Sequence, residues 1–214
     1  MLLIQNLKLQ IMKKQTISTF VIVGCICMLQ SCAFRPCTTM NLNLNPVHSR
    51  IFGESDSWGG AWGVQAGAEA LLPFDCKLPL TYWAGFNFSM QGAGWEEDWG
   101  EGLFEGTTRL WYLNLPLTTR YYFTDNVYGE FGLQPGFLLS AKDKYDGESY
   151  DFRDWVKTFD LGIPLGVTYE FPQNIGVGLR LVPGVLNIND GEYANYKDRN
   201  FTVALKLSYI LQGK

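Results

Sequence analysis

Side chains from Trp111 to Phe123 sort by two. Trp111, Leu113, Leu115, Leu117, Thr119, Tyr121 and Phe123 fall on one side, and Tyr112, Asn114, Pro116, Thr118, Arg120 and Tyr122 on the other. A period of two with one apolar side is the pattern of a β-strand. The run is longer than an average strand of a soluble domain and matches the span that a tilted strand needs to cross a bilayer. Trp111 at one end, and Tyr121, Tyr122 and Phe123 at the other, stand where the aromatic girdles of a membrane strand fall. Taken alone, the run fits a long strand of a soluble sandwich or barrel equally well.

The same alternation recurs. Met40, Leu42 and Leu44 alternate with Asn41, Asn43 and Asn45 in a first strand over 39–46, followed by a polar, Gly- and Ser-rich loop over 48–60. Further strands are predicted over 62–72, 80–91, 127–141, 155–171, 175–188 and 201–211. Short turns at 74–77, 124–126 and 172–174 alternate with long polar connections over 48–60, 92–106, 142–154 and 189–200. In an antiparallel meander every short turn then lies at one end of the sheet and every long loop at the other. Outer-membrane barrels are built this way, with periplasmic turns and external loops. The less apolar face carries isolated charges beside glycines such as Gly63, Gly67, Gly132 and Gly166, which suits a narrow packed lumen. A soluble barrel would turn the apolar face inward and coat its outside with Lys, Glu and Thr, and that coat is missing. The expected fold is all-β, an eight-stranded antiparallel up-and-down transmembrane β-barrel with both termini in the periplasm.

Composition narrows the function classes. At 214 residues the chain suits one domain, and 23 glycines with 15% aromatic residues favour strands over helices. A net charge of -4 without a basic stripe argues against a nucleic-acid partner. Beyond the N-terminus there is no apolar run of the length a spanning helix requires. Membrane lipid is therefore the expected surrounding, met by strands.

Residues 1–33 read as a signal segment. Lys13 and Lys14 precede an apolar run from Ile17 to Leu29, and Ser31-Cys32-Ala33 offers a small-x-small cleavage site; the natural start expected from this pattern is Met12. The barrel domain then occupies 34–214. The same residues also read as a lipoprotein box, Leu29-Gln30-Ser31-Cys32, with Cys32 as the lipidated residue. Either reading exports the chain. Cys25 and Cys27 leave with the signal and Cys32 is lost or lipidated, so Cys37 and Cys76 remain to pair in an oxidising compartment. Cys37 precedes the first strand and Cys76 lies in the turn after the second, at the same end of neighbouring strands, so a Cys37–Cys76 disulfide is expected.

Tyr112-Leu113-Asn114-Leu115-Pro116-Leu117 through Tyr121-Tyr122-Phe123, then Tyr128-Gly129-Glu130-Phe131-Gly132 through Gly136-Phe137-Leu138-Leu139-Ser140-Ala141-Lys142, resembles the PorT-type outer-membrane β-barrel family. Phe159-Asp160-Leu161-Gly162, Gly176-Val177-Gly178-Leu179-Arg180 and the Asn187-Ile188 end of the seventh strand continue the likeness, which covers most of residues 58–211. The resemblance implies a small barrel in the outer membrane and a link to a secretion apparatus, hence a protein partner in the cell envelope. The first strand and the four long loops lie outside it.

Catalytic chemistry finds little support. His48 is the only histidine and falls in a predicted loop, which leaves no His-based nucleophile or multi-histidine metal site. Glu96, Glu97, Asp98 and Glu101 lack the spacing of a calcium loop and read as a solvated charge run. No enzyme activity, cofactor or metal is expected. Loop aromatics Trp95, Trp99, Phe104, Tyr145, Tyr150, Phe152, Tyr193 and Tyr196 offer a sugar- or protein-binding surface or an outer girdle. Inside, the turn centred near Asp125 sets Arg120 opposite Glu130 on the polar face. Glu69, Arg180 and Lys206 share that face near the same depth, so a lumen network of Glu69, Arg120, Glu130, Arg180 and Lys206 is expected. The alternative is a water-filled lumen that screens these charges. The functional expectation is a non-enzymatic structural or binding role through the external loops; the alternatives are a narrow pore or a subunit of an outer-membrane transport or secretion assembly, and a soluble or lipid-tethered binding barrel.

Overall fold

The period-two pattern becomes one antiparallel sheet. The protein is described by a computed structural model over residues 33–34, 39–54, 59–75, 79–98, 102–191 and 194–212. Its strands are β1 (Ala33–Phe34), β2 (Thr39–Phe52), β3 (Gly60–Leu72), β4 (Phe74–Asp75), β5 (Leu80–Asp98), β6 (Leu103–Asn114), β7 (Leu117–Tyr122), β8 (Val127–Tyr145), β9 (Glu148–Asp151), β10 (Phe159–Gly162), β11 (Leu165–Glu170), β12 (Ile175–Pro183) and β13 (Arg199–Gln212). β1 and β4 form a small pair of their own, Ala33 against Asp75 and Phe34 against Phe74. The other strands close into a ring that runs β2, β3, β5, β6 with β7, β8, β10 with β11, β12, β13 and back to β2. The expected signal segment below residue 33, with Cys32, Cys37 and Cys76, lies outside the described residues.

Two of the eight crossings are interrupted by proline. β6 and β7 part at Leu115-Pro116, and β10 and β11 at Ile163-Pro164. Proline has no N–H to give to a ladder. Its carbonyl still accepts: Gly85 N donates to Pro116 O at 3.0 Å and Gly132 N to Pro164 O at 3.1 Å, so the ring continues past both gaps.

Apolar side chains point out and polar ones in. Leu44 is 59% exposed, Phe131 56% and Val167 55%, whereas Arg120, Arg180 and Lys206 are 0% exposed. Hydrophobic burial in the usual inward sense does not organise this wall, because its apolar face has the hydrocarbon of a bilayer as its solvent.

Several expected loops are strand. β2 runs on to Phe52, which takes His48 out of the predicted loop and sets its ring edge-on to Trp62 at 5.0 Å. Within the acidic segment, 92–98 is the end of β5, hydrogen-bonded to the start of β6, with Glu96 opposite Glu105. Within 142–154, β8 extends to Tyr145 and turns into β9 through Asp146 and Gly147, both at positive φ (47° and 78°), the backbone of a tight hairpin turn. Trp155, expected to open the sixth strand, ends a short 3-10 turn over Arg153–Trp155, and the seventh strand ends at Pro183 instead of 188. Arg199 and Asn200 belong to β13. Outside the bilayer a ladder needs no apolar alternation, so polar and glycine-rich composition concealed these extensions. Ala141 is a separate correction. Trp111 pairs with Ser140 and Tyr112 with Leu138, which makes Leu139 an extra residue, and this bulge turns Ala141 inward to 1% exposure although simple alternation placed it outside.

Candidate functional site

The lumen collects what the wall excludes. Arg120 and Glu130 are direct partners across β7 and β8, a register set by the turn between the two strands. Glu69 comes from β3, Arg180 from β12 and Lys206 from β13. Their carboxylates and cations interlock. Arg180 Nε donates to Glu130 Oε1 at 2.6 Å and Arg180 Nη2 to Glu69 Oε1 at 2.9 Å. Lys206 Nζ lies 2.7 Å from Glu130 Oε2 and 3.9 Å from Glu69 Oε2. Arg120 Nη2 donates to Glu69 Oε2, and its Nε stands 3.6 Å from Glu130 Oε2. The opposed residues are thus not the tightest pair: Glu130 is closer to Arg180 and Lys206, and Arg120 to Glu69.

Three cations face two carboxylates, and aromatic rings take up part of the imbalance. Arg120 lies over the Trp83 ring, 3.9 Å from its centroid, and 4.8 Å from that of Tyr128. Lys206 Nζ also donates to the Tyr128 hydroxyl at 3.1 Å. Trp83 and Tyr128 were not among the expected network residues. A signal was present, since each is a large aromatic on the polar face of its strand, and Tyr128 precedes Glu130 by one pleat.

Glycine makes the room. A Cβ on Gly166 would stand 2.9 Å from both Glu130 Oε1 and the Leu179 carbonyl oxygen. Gly166→Ala is accordingly expected to cost about 1–3 kcal/mol by overpacking. Thermal unfolding in detergent measures it, and an unchanged midpoint would mean that the cluster can shift at no cost.

Above the charged layer, toward the long-loop end, lies a layer of amides and hydroxyls. Asn114 Nδ2 and Gln91 Nε2 each donate to Ser89 Oγ at 2.8 Å, and Asn200 Nδ2 donates to Asp160 Oδ2 at 2.8 Å. A void of about 10 Å³ beside Gln134, Asp160 and Asn200 suits a single water. Higher still, Ile51, Leu110, Leu138, Val156 and Ile188 pack into an apolar plug that Phe152 joins. Charge, amide and hydrocarbon thus succeed one another along the barrel interior.

The extensions at the long-loop end carry the other expected side chains. Trp95 stacks on Tyr145 at 5.8 Å and donates from Nε1 to Asp143 Oδ1 at 2.9 Å, while Phe104 lies 5.9 Å from Tyr145. Tyr150 donates to Glu148 Oε2, a bond that, with the carboxylate's charge, raises the phenol's pKa. Phe152 points into the plug and Tyr196 is exposed. The side chains of Glu97 and Asp98, and residues Trp99, Glu101 and Tyr193, lie outside the described residues. Among the described residues no group of three or more His, Cys, Asp or Glu side chains is placed to hold a metal.

A closed ring with an apolar exterior and a polar, filled interior has one natural solvent on its outside. A family model described as an outer membrane protein beta-barrel domain matches residues 39–190. The chain belongs to this family. It is an outer-membrane β-barrel, and lipid covers its apolar wall. No curated protein matches its sequence. Among solved structures, the outer-membrane barrel is similar to neisserial surface protein A at 11% identity and a TM-score of 0.51, over 81% of this chain and 96% of that one. Ail, the attachment invasion locus protein of Yersinia pestis, crystallised with the heparin analogue sucrose octasulfate, is 14% identical with a TM-score of 0.46, over 82% of this chain and 100% of that one. OprG from Pseudomonas aeruginosa is 10% identical with a TM-score of 0.46, over 84% and 99%. At 11% identity the likeness to neisserial surface protein A is one of fold.

Proposed function

We propose that this barrel is a closed, non-enzymatic envelope protein whose role is structural or binding, with its partner met at the strand extensions beyond the outer leaflet. The observation that carries the reading is the filled lumen: the buried ion cluster, the amide layer and the apolar plug succeed one another from the short-turn end to the long-loop end. Eight strands leave an interior that side chains can fill. The acidic and aromatic strand extensions of β5, β6, β8 and β9 support a protein partner in the cell envelope. The sequence resemblance to PorT-type barrels supports a secretion apparatus as the place to look for it.

A planar bilayer with purified protein tests the closed lumen. No steady ion current is expected. A stable conductance would favour the second reading, a narrow pore or transport subunit, for which the observation is the set of buried lumen amides without a hydrogen-bond partner, Asn41, Asn87 and Gln134 among them.

A Cys37–Cys76 disulfide belongs to the same proposal and is expected to contribute about 2–4 kcal/mol. Alkylation and mass spectrometry of protein taken from native membranes should find neither thiol free; two alkylated cysteines would remove the bond. The same spectra decide whether Cys32 carries lipid.

A further inference from the structure

Asp160 is a buried carboxylate without a basic partner. Its Oδ2 accepts from Asn200 Nδ2 at 2.8 Å and its Oδ1 from Leu161 N at 2.7 Å, and both donors are neutral. Among the described residues no Lys, Arg or His forms an ion pair with it. The charged layer is remote. Gln134, Gly184 and Thr202, which line the void beside Asp160, stand four residues above Glu130, Arg180 and Lys206, about 13 Å at the rise of a strand. A carboxylate only 9% exposed has given up its hydration, and nothing of opposite charge replaces it.

The void itself is made by missing side chains and bordered by oxygen. Asn114, Gly136 and Asp160 form one inward row across β6, β8 and β10, and Gln134, Gly162 and Gly184 form the row beneath it. A Cβ on Gly136 would stand 2.7 Å from Asn114 Oδ1, so that oxygen lies over the bare strand between Asn114 and Asp160. Gln134 is 5% exposed, and its Oε1 has no hydrogen-bond partner. Asn114, Gln134 and Asp160 all border this one space of about 10 Å³, and no basic side chain does. Amide oxygens gathered beside a carboxylate are the ligands of a hard cation.

We propose that this void is a site for one monovalent cation of the size of sodium, held by the Asp160 carboxylate, Gln134 Oε1 and Asn114 Oδ1. One carboxylate matches one charge. A divalent ion would bring a second charge that nothing here balances, and calcium seeks six or more oxygens. Space for a single water is also space for a sodium ion, whereas the larger potassium ion would have to push the lining apart. A water could satisfy Gln134 Oε1, but only an ion also supplies the charge that Asp160 lacks. Protein oxygens take the place of the hydration shell, as they do in a channel filter. The ion ties β6, β8 and β10 together just above the interruption at Ile163-Pro164.

Thermal unfolding of the full barrel in detergent, with sodium, potassium or choline chloride at equal ionic strength, tests it. Sodium should raise the midpoint above that in choline by about 3–10 °C once its concentration is about ten to a hundred times its dissociation constant. Potassium should raise it less. Asp160→Asn keeps the shape without the charge and should lose the sodium response. Gln134→Met keeps the length without the oxygen and should need more sodium for the same rise. Asp125→Asn, in the exposed short turn between β7 and β8, removes a carboxylate elsewhere and should respond as the unaltered protein does. Sodium NMR relaxation reads the site without any variant: the resonance should broaden saturably when unaltered barrel is added. Equal midpoints in sodium and choline overturn the proposal, since a water or a proton then fills the place, and so does an undiminished sodium response in Asp160→Asn.

Discussion

Glu130→Ala should destabilise the barrel by roughly 3–5 kcal/mol. The substitution leaves Arg180 Nε and Lys206 Nζ without their nearest carboxylate, 2.6 Å and 2.7 Å away, in an interior where all three side chains are buried. A cluster that already holds three cations against two carboxylates would then hold three against one. An unpaired charge there loses hydration without compensation. Replacing Glu130 by Leu together with Arg180 by Met should cost less than Glu130→Ala alone, because the charge and its partner leave together. Thermal unfolding in detergent of the singles and the double measures the coupling. Additive effects would mean that these side chains act independently, as they would in a lumen wet enough to screen them.

The second large effect lies on the other side of the wall. Leu115 sits at the proline gap of its crossing with its side chain 38% exposed toward lipid. Leu115→Arg is expected to cost about 2–4 kcal/mol at that depth, whereas Ser149→Arg, on exposed β9 beyond the membrane, should change stability little. Equilibrium folding into lipid vesicles across a urea series gives both numbers. Equal folding free energies would place Leu115 against water and turn the barrel inside out.

Alternation made the crossings readable because a membrane wall has two unlike solvents. Each crossing separates hydrocarbon from lumen, so every second residue reports its face, and Asn41, Asn43 and Asn45 are as diagnostic as Met40, Leu42 and Leu44. Short turns made register readable too, since residues equidistant from the 124–126 turn must meet, as Arg120 and Glu130 do. What the pattern could not give was the choice of partner within the cluster. That depends on how far each side chain reaches: Arg180 meets Glu130 over Gly166, which lies between them in one row across β11, and reaches on to Glu69 of β3. The bulge at Leu139 was hidden as well, because Leu138-Leu139-Ser140-Ala141 offers no sharp contrast by which a one-residue slip shows. Above the membrane the rule loses its cause, so His48, Trp95 and Tyr145 looked like loop residues while their backbones were paired.

The ion cluster draws its members from opposite ends of the chain. Glu69 lies on the second crossing, and Arg180 and Lys206 lie on the last two. Until the final strand arrives, Glu130 lacks Lys206, and until β12 arrives both carboxylates lack Arg180. A wall built only as far as β8 therefore sets one cation, Arg120, against two acids on the face that must not meet hydrocarbon, and the other two cations come only with β12 and β13. Closing the ring is thus the step that brings the full set of cations to these acids and lets the lumen become dry.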